Sequence, residues 1–418
     1  MANKRVVITG MGIVSCFGDD VNSFYEALLQ GKSGVRPIEK FPCEDYPTRF
    51  AGSVKDFDAG NYLDKKQARR VDPFIAYTAV AGKKALEMAG YKLDNLDNID
   101  KKRAGILIGS GMGGMDVFSS GVETIINKGY KRLTPFFVPY IITNMGSALL
   151  AIDLGFMGPN YSISTACATG NYCIVNAANH IRQGHADVML CGGAEAAISP
   201  VGLSGFVAIK ALSENNDAPE EASRPWDKNR NGFVMGEGAG VLMLESLEHA
   251  QKRGATIIAE YLGGALNCDA SHMTDPREDG SGVALCIETA LADANISKER
   301  VNYINAHATS TIVGDMAEIR ALKKVFGKPS RKIYLNATKS MTGHPLGAAA
   351  GIEAVTTAMA IKTGKLHATK NLEDKEDGME DFEVWSKGSK DCDVDVALSN
   401  SFGFGGHNSC ILLAKFKA

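Results

Sequence analysis

No run of 18 apolar residues occurs in this 418-residue chain, so no helix able to cross a bilayer is expected. Cys-x-x-Cys pairs are missing too. The nine cysteines (Cys16, Cys43, Cys167, Cys173, Cys191, Cys268, Cys286, Cys392 and Cys410) are odd in number, and most sit in apolar surroundings such as Val-Met-Leu-Cys-Gly-Gly. They read as reduced, buried thiols, not as a disulfide framework or a zinc site. None of the eight histidines stands at a familiar metal-ligand spacing from Cys, Asp or Glu, so no metal is expected. Basic charge is not in surplus: 45 Lys and Arg meet 48 Asp and Glu, for a net charge of −3, which argues against nucleic acid as a partner. The start, Met-Ala-Asn-Lys-Arg-Val-Val-Ile-Thr-Gly, has no apolar signal stretch or cleavage site and leads directly into a strand. The expected setting is the cytoplasm, or an organelle if a transit peptide has been removed. Low-complexity tracts are also absent.

What the chain does contain is a series of short apolar runs punctuated by 45 glycines but only 13 prolines. Runs at 6–9, 105–108, 188–191, 241–244, 257–261, 301–305, 333–336, 394–398 and 411–414 predict buried strands. Between several of them lie helical patterns: 167–183 stopping at Gly184, 315–326 stopping at Gly327, and the Ala-rich 346–363 stopping at Gly364. Strands alternating with helices indicate an α/β protein. A weak internal echo places a strand running into a Gly-containing bend near both residue 5 and residue 257, with a midpoint near Gly254. Two polar segments, 213–231 and 373–391, read as surface loops.

Four stretches could carry chemistry. Cys167 lies in Tyr-Ser-Ile-Ser-Thr-Ala-Cys-Ala-Thr-Gly, between a β-rich run and a helical pattern. At a strand-to-helix junction the first-turn N–H groups would favour a reactive thiolate and stabilise an oxyanion; an inert core cysteine is the alternative. His307 follows a predicted strand and precedes Ala-Thr-Ser-Thr, which suits a site at a sheet's carboxyl edge, or else a structural histidine. Lys339 and His344, in Thr-Lys-Ser-Met-Thr-Gly-His-Pro-Leu-Gly, lie at a helix start, where positive potential would keep the imidazole neutral; a surface Lys and a capping His fit equally. Ser-Asn-Ser-Phe-Gly-Phe-Gly-Gly-His-Asn (399–408) needs unusual backbone freedom, for a ligand or for a tight hairpin.

Phosphate-binding readings fail. Gly10 and Gly12 follow a strand, but Ser15 stands where a dinucleotide fingerprint needs its third glycine, and no acidic strand end follows at the required distance. The glycines at 109–114 fit the spacing without a second βα unit after them. Gly31-Lys-Ser33 lacks the P-loop's first glycine, replaced by Glu26.

Taken together, these motifs resemble the β-ketoacyl-acyl-carrier-protein synthases of type II fatty acid synthesis, in the elongating I/II branch, with synthase II taken as the match. The resemblance covers essentially the whole chain, through 4–15, 109–114, 135–145, 164–171, 223–240, 305–311, 338–351 and 400–408, and looks closest to plastid-type members. It implies a thiolase-like fold of two similar α/β halves in αβαβα layers, divided here as 1–254 and 255–418, in a homodimer. It implies a condensing acyltransferase with a Cys167–His307–His344 triad, Lys339 and Glu353 supporting the second His, and Phe404 as a gate whose N–H joins that of Cys167 in an oxyanion hole. Thr309 and Thr311 would hold the phosphopantetheine arm, Phe402 would contact substrate, and Met112 would line the acyl pocket. Acyl carrier protein would be the partner and would bring the phosphopantetheine, so no separate cofactor is implied. Lys65, Lys66, Arg69 and Arg70 form a basic patch suited to an acidic partner. Ala308 replaces the family's usual Gly, Pro345 a usual Leu, and Met112 a usual Ile or Gly. A degradative thiolase would be expected to carry a second catalytic Cys near the C-terminus, a chain-length factor would lack Cys167, and a nicotinamide oxidoreductase would need the fingerprint that is broken here.

Overall fold

The computed structural model describes residues 4–417. Its main sheet has nine strands: β1 (Val6–Val14), β2 (Ala104–Gly109), β3 (Val188–Glu195), β4 (Gly238–Ser246), β5 (Ala259–Cys268), β6 (Val301–Asn305), β7 (Tyr334–Asn336), β8 (Val396–Gly403) and β9 (His407–Ala414). Each predicted apolar run overlaps one of these strands. Several continue past the run through glycines and polar residues, as in Gly192 to Glu195, because ladder hydrogen bonds and not hydrophobicity carry the strand onward.

The strands lie in the order β2-β3-β4-β1-β5-β9-β8-β6-β7. At the centre, β1 and β5 pair over three residues only, Val6 to Ile8 against Tyr261 to Ala259. Outward from that seam the pairing sense is the same on both sides. Two antiparallel neighbours come first (β4 then β3; β9 then β8), followed by a parallel one (β2; β6). The short seam lets the sheet fold into two halves with helices between them.

Six helices set the layers: α1 (Pro73–Met88), α2 (Met115–Lys128), α3 (Thr169–Arg182), α4 (Ser281–Asp293), α5 (Ile312–Phe326) and α6 (Ala349–Thr363). α3 and α6 pack against strands of both half-sheets and against each other, α1 covers the far side of the first half-sheet, and α4, backed by α5, covers that of the second. The result is the expected α-β-α-β-α stack. α6 has no polar face, since every residue from Ala349 to Ile361 is buried, which is the pattern of a helix enclosed on all sides. It begins after a 3₁₀ turn at Leu346–Ala348 and stops at Gly364 in the left-handed conformation, while α3 and α5 end beside Gly184 and Gly327 as their sequences indicate.

Of the two polar segments, 373–391 lies at the surface with only Met379 and Phe382 buried, whereas 213–231 is partly buried. Trp226 is fully buried, and the Asp227 carboxylate accepts the N–H groups of Asn229, Glu373 and Asp374, joining one segment to the other. Polar composition suggested exposure, but backbone N–H groups of both segments satisfy the Asp227 carboxylate, which allows its burial.

Small residues let the middle layer close. A Cβ on Gly351 of α6 would lie 2.3 Å from Gly240 O and 2.8 Å from Gly193 N, and one on Gly170 of α3 would lie 2.4 Å from Gly351 N. Gly351→Ala should therefore destabilise the fold by about 1–3 kcal/mol through overpacking, seen as a lower urea midpoint; an unchanged midpoint would contradict this packing.

Candidate active site

The segment before Cys167 is irregular and not a strand, and α3 starts two residues after it. Ala166 is held at φ +49°, a costly conformation for a residue with a Cβ. Thr169 Oγ1 locks the bend, donating to Ala166 O at 2.7 Å and accepting Thr165 N–H at 2.9 Å. Ser401 Oγ donates to Cys167 O at 2.9 Å. So fixed, the half-buried Sγ lies 3.0 Å from His344 Nε2.

His307 follows the end of β6. Its backbone N–H and that of Ala308 are both accepted by the Glu318 carboxylate, at 3.0 and 2.9 Å. Its Nδ1 lies 3.4 Å from both Lys339 Nζ and Ser401 Oγ, so Lys339 contacts His307 and not His344, the histidine that the resemblance implied it supports. An ammonium can only donate, so Nδ1 accepts and the ring proton sits on Nε2. His344 is anchored by its backbone: N–H to Val234 O at 2.7 Å, and its O accepting Gly236 N–H at 2.8 Å. Its Nδ1 is buried with no partner, so no hydrogen bond locks its tautomer. The two imidazoles meet edge to face with centroids 5.4 Å apart, flanked by Phe402 on His307 and Phe233 on His344.

Beneath them Lys339 Nζ donates to Glu353 Oε1 at 2.5 Å, both side chains almost wholly inaccessible. A buried cation of this kind persists only when paired and hydrogen-bonded. Burial pushes the Glu353 carboxyl up to about 7, with Lys339 opposing. Burial, reinforced by the Lys339 charge, holds both imidazoles well below the usual histidine range, so both are neutral. Burial and the Lys339 charge thus suffice to keep His344 neutral. The thiol departs further from expectation. Burial pushes Cys167 up to about 12 against the pull of Lys339, so the resting group is a thiol and not the thiolate that a helix terminus was expected to favour.

These groups line a cavity of about 590 Å³. Thr309 and Thr311 stand on its wall with hydroxyls 3.1 Å apart, their N–H groups and that of Ser310 held by Asp315 Oδ1. Met112 lies on the opposite side, in the apolar cluster around Cys167 and Leu346. Phe402, Gly403 and Phe404 come from the β8–β9 hairpin, turned at Gly405 and Gly406 with φ of +90° and +76°. A Cβ on Gly403 would lie 3.0 Å from Cys167 N, so only glycine lets this hairpin approach the thiol's backbone. Phe404 is 37% exposed at the cavity mouth. All ten residues singled out in the sequence therefore lie in or directly beneath one cavity. Glu318, Asp315, Ser401 and Glu195 also shape it and were not singled out; carboxylates on the buried face of an apolar helical pattern, as Asp315 and Glu318 are on α5, were the signal available. Among the described residues no group of three or more His, Cys, Asp or Glu could hold a metal ion, and no helix is long and apolar enough to cross a membrane.

Two family models match in succession: the β-ketoacyl synthase N-terminal domain over residues 3–250 and the β-ketoacyl synthase C-terminal domain over 258–373. The chain belongs to the β-ketoacyl synthase family. It is a condensing enzyme, an acyltransferase. It is 62% identical to the chloroplastic 3-oxoacyl-[acyl-carrier-protein] synthase I of Arabidopsis thaliana, over 99% of this chain and 87% of that one. It is 47% identical to 3-oxoacyl-[acyl-carrier-protein] synthase 2 of Vibrio harveyi, over 99% of both. Among solved structures, a β-ketoacyl synthase from Burkholderia phymatum matches with a TM-score of 0.91 at 32% identity, over 99% of this chain and 100% of that one. A type II polyketide ketosynthase in complex with its acyl-carrier protein matches with a TM-score of 0.89 at 33% identity, again over 99% and 100%.

The depressed imidazoles make the synthase sensitive to acid. Unfolded histidines bind protons near pH 6.5, whereas these two do so only at lower pH, so stability is full above 6.5 and falls as pH drops below it. Both histidines contribute to that loss in the same direction. Urea titrations at pH 7 and pH 5 should show wild type losing more stability than a His307→Ala/His344→Ala variant; equal losses would contradict neutral imidazoles.

Proposed function

We propose that this chain is an elongating β-ketoacyl-acyl-carrier-protein synthase in which Cys167 holds the acyl chain as a thioester and His307 and His344 drive decarboxylative condensation with malonyl-carrier protein. The observation that carries the reading is one thiol 3.0 Å from a neutral imidazole, with a second imidazole facing the first above a buried ammonium.

In the first half-reaction Sγ attacks the carbonyl carbon of an acyl thioester delivered on phosphopantetheine. His344 Nε2 takes the thiol proton and passes it to the departing pantetheine sulfur, which suits a thiol that is protonated at rest. In the second, the malonyl carboxylate leaves as carbon dioxide and the bonding pair moves into the thioester carbonyl. That enolate oxygen accepts hydrogen bonds from His307 Nε2–H and from His344 Nε2–H, the second once the His344 ring proton, which no partner holds at Nδ1, has moved to Nε2. Its carbon then attacks the acyl-Cys167 carbonyl. The Cys167 and Phe404 N–H groups hold the resulting oxyanion, and collapse expels Sγ as a thiolate with the chain two carbons longer; a proton taken up from water restores the resting thiol. Lys339 serves by fixing His307 Nδ1 as an acceptor, and Glu353 by keeping the ammonium in place. Thr309 and Thr311 hold the pantetheine arm, Phe402 packs on substrate beside His307, Phe404 gates entry and Met112 borders the acyl chain.

The same reading divides the chain into halves at 254/255, the first supplying the nucleophile and the second both histidines; the repeated pairing sense about the β1–β5 seam supports it. Acyl carrier protein would dock near Lys65, Lys66, Arg69 and Arg70, all exposed on one short helix and its end. A homodimer would cover Phe118, Val122, Ile125 and Ile126 of α2 with nearby Phe136 and Val138, apolar side chains left exposed together. The setting would be the bacterial cytoplasm or the plastid stroma, since the relatives include both bacterial and chloroplastic synthases.

His307→Ala should leave acylation of Cys167 largely intact while slowing condensation by about 10²–10⁴-fold. Mass spectrometry of the Cys167 peptide reads the first and product formation from malonyl-carrier protein the second. Equal loss of both half-reactions would sink the assigned roles.

A further inference from the structure

The geometry points to Glu195 as a positioning residue whose carboxylate ties the loop carrying Met112 to the turn carrying His344, and thereby sets which acyl chains fit beside Cys167. The inference deepens the proposed function and rests on its reading of Cys167 as the acyl carrier.

Glu195 ends β3 and is fully buried. Its partners are donors only, and they come from two separate segments. Oε1 accepts Ser110 Oγ–H at 2.8 Å and Met112 N–H at 3.2 Å. Oε2 accepts Gly111 N–H at 2.9 Å and Gly347 N–H at 3.0 Å. Four donors leave no vacant acceptor site on the carboxylate. The two segments are pressed together around it: a Cβ on Gly347 would lie 2.5 Å from both Glu195 Oε2 and Gly111 N, and a Cβ on Gly111 would lie 2.8 Å from Oε2.

Each bond leads directly to the reaction centre. Gly347 follows Leu346, held at φ +49°, two residues after His344; the Glu195 bond to Gly347 restrains that strained turn. On the other side, Gly111 O accepts from Ser164 Oγ at 3.1 Å, three residues before the nucleophile. Ser110 Oγ also accepts Gly113 N–H at 2.9 Å, which closes the Met112 loop on itself. One carboxylate therefore holds the acyl-pocket wall, the nucleophile segment and the His344 turn in register. Among the described residues no other side chain accepts backbone N–H groups from both the Met112 loop and the His344 turn.

The test uses the full chain with fatty acyl-carrier proteins of graded length, reading the rate of Cys167 acylation by mass spectrometry for wild type, Glu195→Gln and Ser110→Ala. A glutamine turns an amide N–H toward backbone N–H groups, loosening the Met112 loop while preserving volume. Long chains, which must pass Met112, should lose about tenfold relative to short ones in Glu195→Gln, with a smaller shift in the same direction for Ser110→Ala. A purely structural role would slow every length alike. A uniform loss, or an unchanged long-to-short ratio in the folded variants, overturns the inference; if Glu195→Gln does not fold, Ser110→Ala decides. No adduct on wild-type Cys167 with any carrier protein would instead bring down the functional reading on which it rests.

Discussion

An ammonium buried with its carboxylate governs the rest of this site. Lys339 and Glu353 lie out of reach of water at the base of the cavity, where an unpaired charge would cost several kcal/mol, roughly 3–5 if either partner were removed. Once in place the cation acts in three directions. It fixes the tautomer of His307 through Nδ1, it keeps both imidazoles neutral, and it draws on the Cys167 thiol. Burial alone would also neutralise the histidines, but it would not orient them. The cation supplies that direction for His307, whose neutral ring is then a donor for an enolate oxygen, while His344, held by its backbone, stays free to take and return a proton.

Around this charge the backbone is tightly constrained. Ala166 and Leu346, the residues flanking the thiol on one side and following His344–Pro345 on the other, both sit at φ +49° without being glycine. Such conformations persist only where surrounding bonds over-determine them. Here Thr169 and Ser401 secure the first, and Glu195, through Gly347, secures the second. Glycines at 111, 347 and 403 permit approaches that any Cβ would block. The site is thus built from close backbone contacts between the two halves of the sheet, and the all-buried α6 holds those halves at a fixed spacing.

Much of this was readable in the residues. The nine apolar runs mark the nine strands because burial of a sheet on both faces demands continuous hydrophobic stretches. Helix ends at 184, 327 and 364 were visible because glycine is the residue that tolerates the turn past a helix terminus. Cys167, His307, Lys339 and His344 stood out through their positions between strands and helices, and the family resemblance joined them into one site. What escaped were properties that exist only in three dimensions. The thiol's high pKa comes from burial by residues distant in sequence, not from its own helix. The exposure of 213–231 was misjudged because Asp227 finds its partners at 373 and 374. Glu195 and Glu318 looked like ordinary acidic residues, since nothing local shows that their partners are backbone N–H groups from other segments.

The claim at the centre is that His307 and His344 are neutral beside a protonated thiol. It is tested most directly by nitrogen NMR of histidine-labelled protein, followed from pH 8 to pH 6. The account predicts two neutral rings at pH 7, with His307 carrying its proton on Nε2. An imidazolium at His344 paired with a Cys167 thiolate at pH 7 would contradict it.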